Sequence, residues 1–187
     1  MPPKVKTTKE AIVATAVELV RRQGAQGLNA RAVAAVLGCS TQPIFSNFAT
    51  MEDLREAVVA EADALCNTFI RREVERGEYP PYKASGMAYI RFAKEEKELF
   101  KLLYMRDRTG ETLPAEFIIG DPTQEILHRT TGLEGETAKL FHLEMWAYVH
   151  GVATMYATGF IDLPWELVSR MLTDAYQGLR KQYGMEG

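Results

Sequence analysis

Apolar positions recur along this chain at three- and four-residue intervals, and no stretch alternates apolar with polar for a useful length, so the pattern predicts an all-α protein. In TTKEAIVATAVELVRRQG, Ile12, Ala16, Leu19 and Val20 form one stripe. Thr7 stands three residues before Glu10, the spacing of a capping box, and Gly24 supplies the stop. LNARAVAAVLG is short and Ala-rich, with Asn29 as its expected N-cap and Gly38 past its end, and its small side chains permit close helix crossing. TQPIFSNF, about two turns long, is predicted to start behind Ser40 as N-cap. Pro43 then falls at the third helical position, where first-turn N–H groups have no intrahelical acceptor to lose. Thr50, followed by Glu52 and Asp53, opens a long helix whose stripe Leu54, Val58, Leu65 and Phe69 runs toward Gly77.

GEYPPY is the clearest break. Beyond it, YKASGMAYIRFAKEEKELFKLLYMRDR reads as two helices meeting at a corner within KEEKE. TGETLPAEFIIGDPTQEILHRTTG, with its prolines and glycines, reads as short helical turns and loops. Two long helices follow, EGETAKLFHLEMWAYVHGVATMYATGF and PWELVSRMLTDAYQGLRKQYG, separated by IDLP. Both are apolar over more than one narrow stripe, so each needs cover from the core and from something else.

Length and composition fit one compact soluble domain, or a small head on a larger body. The net charge of −3 argues against nucleic acid until it is divided. Residues 1–49 carry six basic side chains against two acidic ones, a net +4, which leaves −7 for residues 50–187. A basic head can attract phosphates while an acidic body keeps away from them. Cys39 and Cys66 lack CxxC spacing, so neither a disulfide framework nor a zinc site is expected. No apolar run approaches the ~20 residues of a membrane span, and MPPKVKTTKE carries no signal-peptide core, so a cytoplasmic protein without membrane contact is expected. His128, His142 and His150 are scattered, and no HxxxH or ExxH pair is expected to present metal ligands together. His142 and Glu144 lie two apart and point to different faces, so neither an enzyme nor a metal or cofactor site is expected.

ARAVAAVLGCSTQPIFSNF therefore carries the chemistry. Two helices joined by a Gly turn make either a plain hairpin or a helix-turn-helix. A helix meant for the major groove is short and bears small or amide side chains on its exposed face, because Gln offers paired donor and acceptor to adenine and a Thr methyl touches thymine. Thr41, Gln42 and Ser46 fit that role, while Ile44 and Phe48 are expected to face inward against Val33, Val36, Leu37 and Leu19. Cys39, at the turn, is readable as an oxidation switch or as a small semi-buried residue.

The segment from Ile12 to Val58 resembles the DNA-binding head of the tetracycline-repressor (TetR) family: Ala16, Gly24, Val33 with Ala34, Gly38 with Cys39 and Ser40, and the pair Phe45 and Phe48 stand at the family's spacing. The resemblance implies about nine helices, with a three-helix helix-turn-helix head over residues 1–49 that binds a double-stranded DNA operator. It implies a helical effector-binding and dimerisation domain over residues 50–187. Phe45 stands where the family's usual pattern has Tyr, and Met51 where it has Lys, so phosphate contacts are expected to move to Lys4, Lys6, Arg31, Asn47 or the helix N-terminus after Thr50. Pro43 replaces a small hydroxyl residue common in the family; it and Asn29 complete the expected DNA-facing set. The two departures also leave open a helical dimer that has lost sequence-specific DNA binding and serves as a ligand carrier or partner protein.

WAYVHG resembles a Trp-His-Gly type of C-terminal domain in the same family. Trp146 and His150 share a helix face, and Gly151 is expected to let a neighbouring backbone approach. They are readable as part of an effector pocket, or as a packed Trp beside a His bonded to a backbone carbonyl. The candidate pocket takes Tyr89, Phe92, Phe100, Leu103 and Tyr104 from the middle of the chain, with Met105, Trp146, His150 and Met155. Such a lining is apolar with few polar anchors, which suits an apolar or aromatic small-molecule effector. Residues 138–158 and 165–183 are expected to form an intersubunit four-helix bundle, a homodimer whose two heads reach major grooves about 34 Å apart.

Overall fold

Capping and the apolar period decide where each helix begins and which way it faces. The computed structural model describes residues 7–107, 109 and 123–185. Its helices are α1 (Lys9–Gln23), α2 (Ala30–Leu37), α3 (Gln42–Asn47), α4 (Met51–Arg76), α5 (Pro81–Glu95), α6 (Lys97–Tyr104), α7 (Thr123–Thr131), α8 (Gly135–Thr158) and α9 (Trp165–Gln182), and there is no strand among the described residues. The chain forms two compact units, Met1–Leu65 with Glu96–Arg106, and Cys66–Glu95 with Asp107–Gly187.

In the first unit, α1 starts one residue later than the capping-box spacing predicts. The cap is Thr8, whose Oγ1 accepts from Ala11 N at 3.2 Å, so Glu10 sits at the second helical position. Adjacent threonines offer either hydroxyl, and spacing alone does not choose between them. The predicted stripe is buried, with Val17 added. Asn29 caps α2 through its Oδ1, which accepts from Ala32 N at 2.9 Å, and Gly38 closes the helix in the left-handed region at φ 65°. Thr41, not Ser40, precedes α3 and makes no side-chain cap bond, and Pro43 lies within the first turn. Ile44 and Phe48 are buried with Val33 and Leu19. Val36 is not part of that core: it is 64% exposed, because it sits about 110° around the helix from the face centred on Val33 and Ala34. Leu37 is half-buried.

The start of α4 is a reciprocal cap. Asp53 N donates to Thr50 Oγ1 at 3.1 Å and Thr50 N donates to Asp53 Oδ2 at 2.8 Å. The buried stripe of α4 is Leu54, Val58, Ala62, Cys66 and Ile70, an unbroken four-residue series. Leu65 and Phe69, expected on it, flank it half-buried. α6 packs on α1, with Leu99 and Phe100 fully buried.

In the second unit α5 is the central helix, packed by α7, α8 and α9 and buried over most of its surface. The corner expected within KEEKE falls between the ends of α5 and α6. Of the segment expected to hold short helical turns and loops, residues 110–122 lie outside the described residues, Thr109 lies in a turn, and Thr123–Thr131 form the whole of α7. Gly159 stops α8 in the left-handed region, and the Tyr156 hydroxyl donates to Leu163 O at 2.6 Å, pinning the IDLP connection. Glu73, only 3% exposed, is held by Arg76 at 3.2 Å and Arg91 at 3.5 Å. The Arg91 guanidinium lies 4.8 Å over the Trp165 ring. Among the described residues, no helix is long and apolar enough to cross a membrane.

Candidate functional site

The outer face of the first unit's short helix is built by what α3 buries. With Ile44 and Phe48 committed to the core, the helical period turns Gln42, Phe45 and Ser46 to solvent, and Phe45 is 49% exposed. Thr41, Pro43 and Asn47 are half-buried beside them. The Ser46 hydroxyl donates to Gln42 O at 2.9 Å and the Asn47 amide to Pro43 O at 2.7 Å, so both brace this two-turn helix. Asn29 and Thr50 are exposed but act as caps. The Gln42 and Arg31 side chains make no hydrogen bond with the described residues, which leaves an amide on this face and an exposed guanidinium on α2 available. The α4 N-terminus already holds the Asp53 carboxylate. Met51 is half-buried there. Lys9 lies 5.1 Å over the Phe48 ring. Lys4 and Lys6 lie outside the described residues.

The second unit contains a cavity of about 490 Å³ against α5, α8 and α9. Of the residues predicted for a pocket, Tyr89 and Trp146 line it. His150 stands behind both: its ring stacks on Trp146 with centroids 4.6 Å apart, and its Nδ1 lies 2.9 Å from the Tyr89 hydroxyl. One partner of His150 is thus a side chain, the Tyr89 hydroxyl. Burial lowers the His150 pKa, favouring the neutral ring. Phe92 is fully buried and meets Phe69 edge-on at 5.4 Å, away from the lining. Met155 is 38% exposed. Phe100, Leu103, Tyr104 and Met105 belong to the first unit, where α6 packs on α1, and none of them lines the cavity.

The lining that sequence reasoning missed includes apolar Ile70, Met145, Val149 and Leu172 and a polar part: Lys83 on α5, and Thr173, Tyr176, Gln177 and Arg180 on α9. Lys83 Nζ donates to Thr173 Oγ1 at 2.8 Å, and burial pulls the Lys83 pKa down. Burial also pushes up the hydroxyls of Tyr82 and Tyr176. The Tyr82 hydroxyl is 2.9 Å from His142 Nδ1 in the buried wall. Gly151 does not provide the close approach expected of it, since a Cβ there would meet nothing within 4 Å among the described residues. That role falls to Gly86, where a Cβ would come within 3.2 Å of Leu172 and 3.4 Å of Val149. The run Ala84, Ser85, Gly86 in mid-helix was the available signal, since small residues leave room beside a helix.

The comparisons with known proteins agree with this architecture. The tetracycline-repressor-like C-terminal domain family matches residues 82–175. An uncharacterised HTH-type transcriptional regulator of Mycobacterium tuberculosis is 26% identical over 161 residues, covering 84% of this chain and 73% of that protein. Among solved structures, a protein of unknown function from Rhodococcus sp. RHA1 superimposes with a TM-score of 0.74 at 22% identity, over 95% of this chain and 98% of that one. A TetR-family member from Streptomyces coelicolor A3 gives a TM-score of 0.65 at 18% identity, over 89% of this chain and 96% of that one. The chain therefore belongs to the TetR family of transcriptional regulators.

Proposed function

We propose that this protein is a ligand-responsive repressor that binds a palindromic operator as a homodimer. In this reading residues 1–49 read DNA, and residues 50–187 bind the effector and dimerise. The observation that carries it is the face of α3, where Gln42, Phe45 and Ser46 point outward from a core fixed by Ile44 and Phe48. Gln42 then reads an adenine edge, Phe45 packs against a thymine methyl or sugar, and Arg31 binds phosphate. Leu140 and Leu143 on α8, Leu167 on α9 and Phe160 between them are large, apolar and exposed, which supports pairing of these helices with those of a second copy. The second reading, a ligand-binding dimer without sequence-specific DNA contact, draws on Phe45 and Met51, which offer phosphate neither a hydroxyl nor a charge.

The test is a mobility shift with duplex DNA flanking the protein's own gene at 50 and 200 mM salt, together with sedimentation of the free protein. A dimer whose binding falls steeply with salt is expected, because each neutralised phosphate releases counterions. A dimer with no affinity for any such duplex favours the second reading.

A further inference from the structure

Residues 50–187 carry a net −7, yet the cavity in the second unit is lined by two cations, Lys83 and Arg180, and by no carboxylate among the described residues. Neither cation has an acidic partner elsewhere among those residues. Lys83 donates to Thr173 and lies 5.0 Å over the Tyr79 ring. Arg180 donates to Met185 O at 2.6 Å and lies 6.0 Å over Tyr176. Several basic side chains elsewhere in this unit do find carboxylates: Arg76 and Arg91 share Glu73, and Lys94 holds Asp162 at 2.7 Å. The cavity brings two cations to one lining that no described carboxylate neutralises.

The walls divide by polarity. Thr173, Tyr176, Gln177 and Arg180 fall at the spacing of one face of α9, a strip about 10 Å long. Ile70, Met145, Val149 and Leu172 are apolar, and the rings of Trp146 and Tyr89 lie among them. A wholly apolar ligand would leave Lys83 desolvated and without counter-charge, a cost that burial already registers in its depressed pKa. A cationic ligand would be repelled by both basic groups.

We propose that the effector is an amphipathic organic carboxylate whose anionic head binds Lys83, drawn by Arg180, with an apolar, ring-bearing body against Trp146 and the α8 wall. This rests on the reading of the cavity as the effector site and names what that site selects. Lys83 has ammonium protons beyond the one given to Thr173, and the Thr173 hydroxyl keeps Lys83 on the cavity side by donating in turn to Ser169 O at 3.1 Å. A charge-assisted bond of this kind in a partly buried site separates an acid from its neutral isostere by at least about tenfold.

The experiment is calorimetric titration of the full-length protein with three isosteric probes: 1-naphthylacetate, 1-naphthylacetamide and 2-(1-naphthyl)ethylammonium. The acetate is expected to bind at least about tenfold tighter than the acetamide, with the ammonium weakest. Lys83→Met is expected to bring acid and amide to near equality, Arg180→Gln to reduce the preference in part, and Arg170→Gln, on an exposed position of α9, to leave it unchanged. Should Lys83→Met lose its helical circular dichroism, Lys83→Gln, which retains a donor toward Thr173, gives the same readout. Equal binding of acid and amide by the wild type, a preference that survives loss of Lys83, or binding of none of the three overturns the proposal. Retention of upstream duplex DNA separates the two readings. A Lys83-dependent acid that leaves DNA binding untouched removes the effector reading and keeps the ligand class; an amide that shifts DNA binding as well as the acid does the reverse.

Discussion

Arg21 and Glu96, 75 positions apart in the chain, meet fork to fork: Nε donates to Oε2 at 2.8 Å and Nη2 to Oε1 at 3.0 Å. The pair joins α1 to the start of α6 within the first unit, and it holds Arg21 even more firmly protonated than usual through the Glu96 hydrogen bonds. Arg21→Ala is expected to cost about 1 kcal/mol, since the geometry is bidentate but the site is partly open to solvent. Arg21→Lys keeps the charge, loses the fork and recovers only part of that. Denaturant unfolding of both variants with Glu96→Ala, as a double-mutant cycle, measures the coupling.

Gly24 ends α1 at φ 74° and ψ 177°, a region that side chains avoid. A Cβ there would also lie 2.9 Å from the Glu98 carboxylate. Gly24→Ala is therefore expected to destabilise by about 1–3 kcal/mol, read as a lower denaturation midpoint with an unchanged slope.

Gln42 and Arg31 are both exposed on the first unit and are expected to fail differently. Gln42→Ala should flatten the ranking of duplexes by sequence, whereas Arg31→Ala should weaken all of them alike and lower the salt dependence by about one phosphate's share. A panel of single-base operator variants titrated at two salt concentrations distinguishes them. Identical behaviour of the two mutants would remove the division into base and phosphate contacts.

His150 gives a pH signature. Burial depresses its pKa, so the folded state disfavours the charged ring relative to the unfolded chain. The stability this neutral ring supports is present above the unfolded value of about 6.5, declines as pH falls below it, and levels off beneath the folded value. His150→Gln retains an amide for the Tyr89 hydroxyl and does not titrate. Its unfolding free energy should therefore vary less than wild type between pH 7.5 and 5.5, by urea denaturation at each pH.

Helices and the exposed face of α3 were legible in the sequence because burial there follows a 3.6-residue period with few competitors. Misreadings arose where two neighbours were chemically equivalent, as with Thr7 and Thr8, or where an apolar residue sat off the axis of its stripe, as with Val36 and Leu65. The cavity was legible only at Tyr89 and Trp146. The polar strip Thr173, Tyr176, Gln177 and Arg180 has the spacing of a solvated helix face, and periodicity does not distinguish bulk water from an enclosed space. Phe100 and Leu103 misled for the complementary reason: an aromatic-rich apolar run describes burial without saying in which of two units.

The first unit is not a continuous length of chain. Leu99 and Phe100 reach it from beyond the whole of α5, and α6 lies against α1. A gene fragment stopping after Leu65 would thus encode a head lacking part of its own interior, with greasy side chains of α1 left bare. Swapping DNA specificity between such regulators by exchanging their first sixty-odd codons would transplant one partner of a matched set, and the α6 segment has to travel with it.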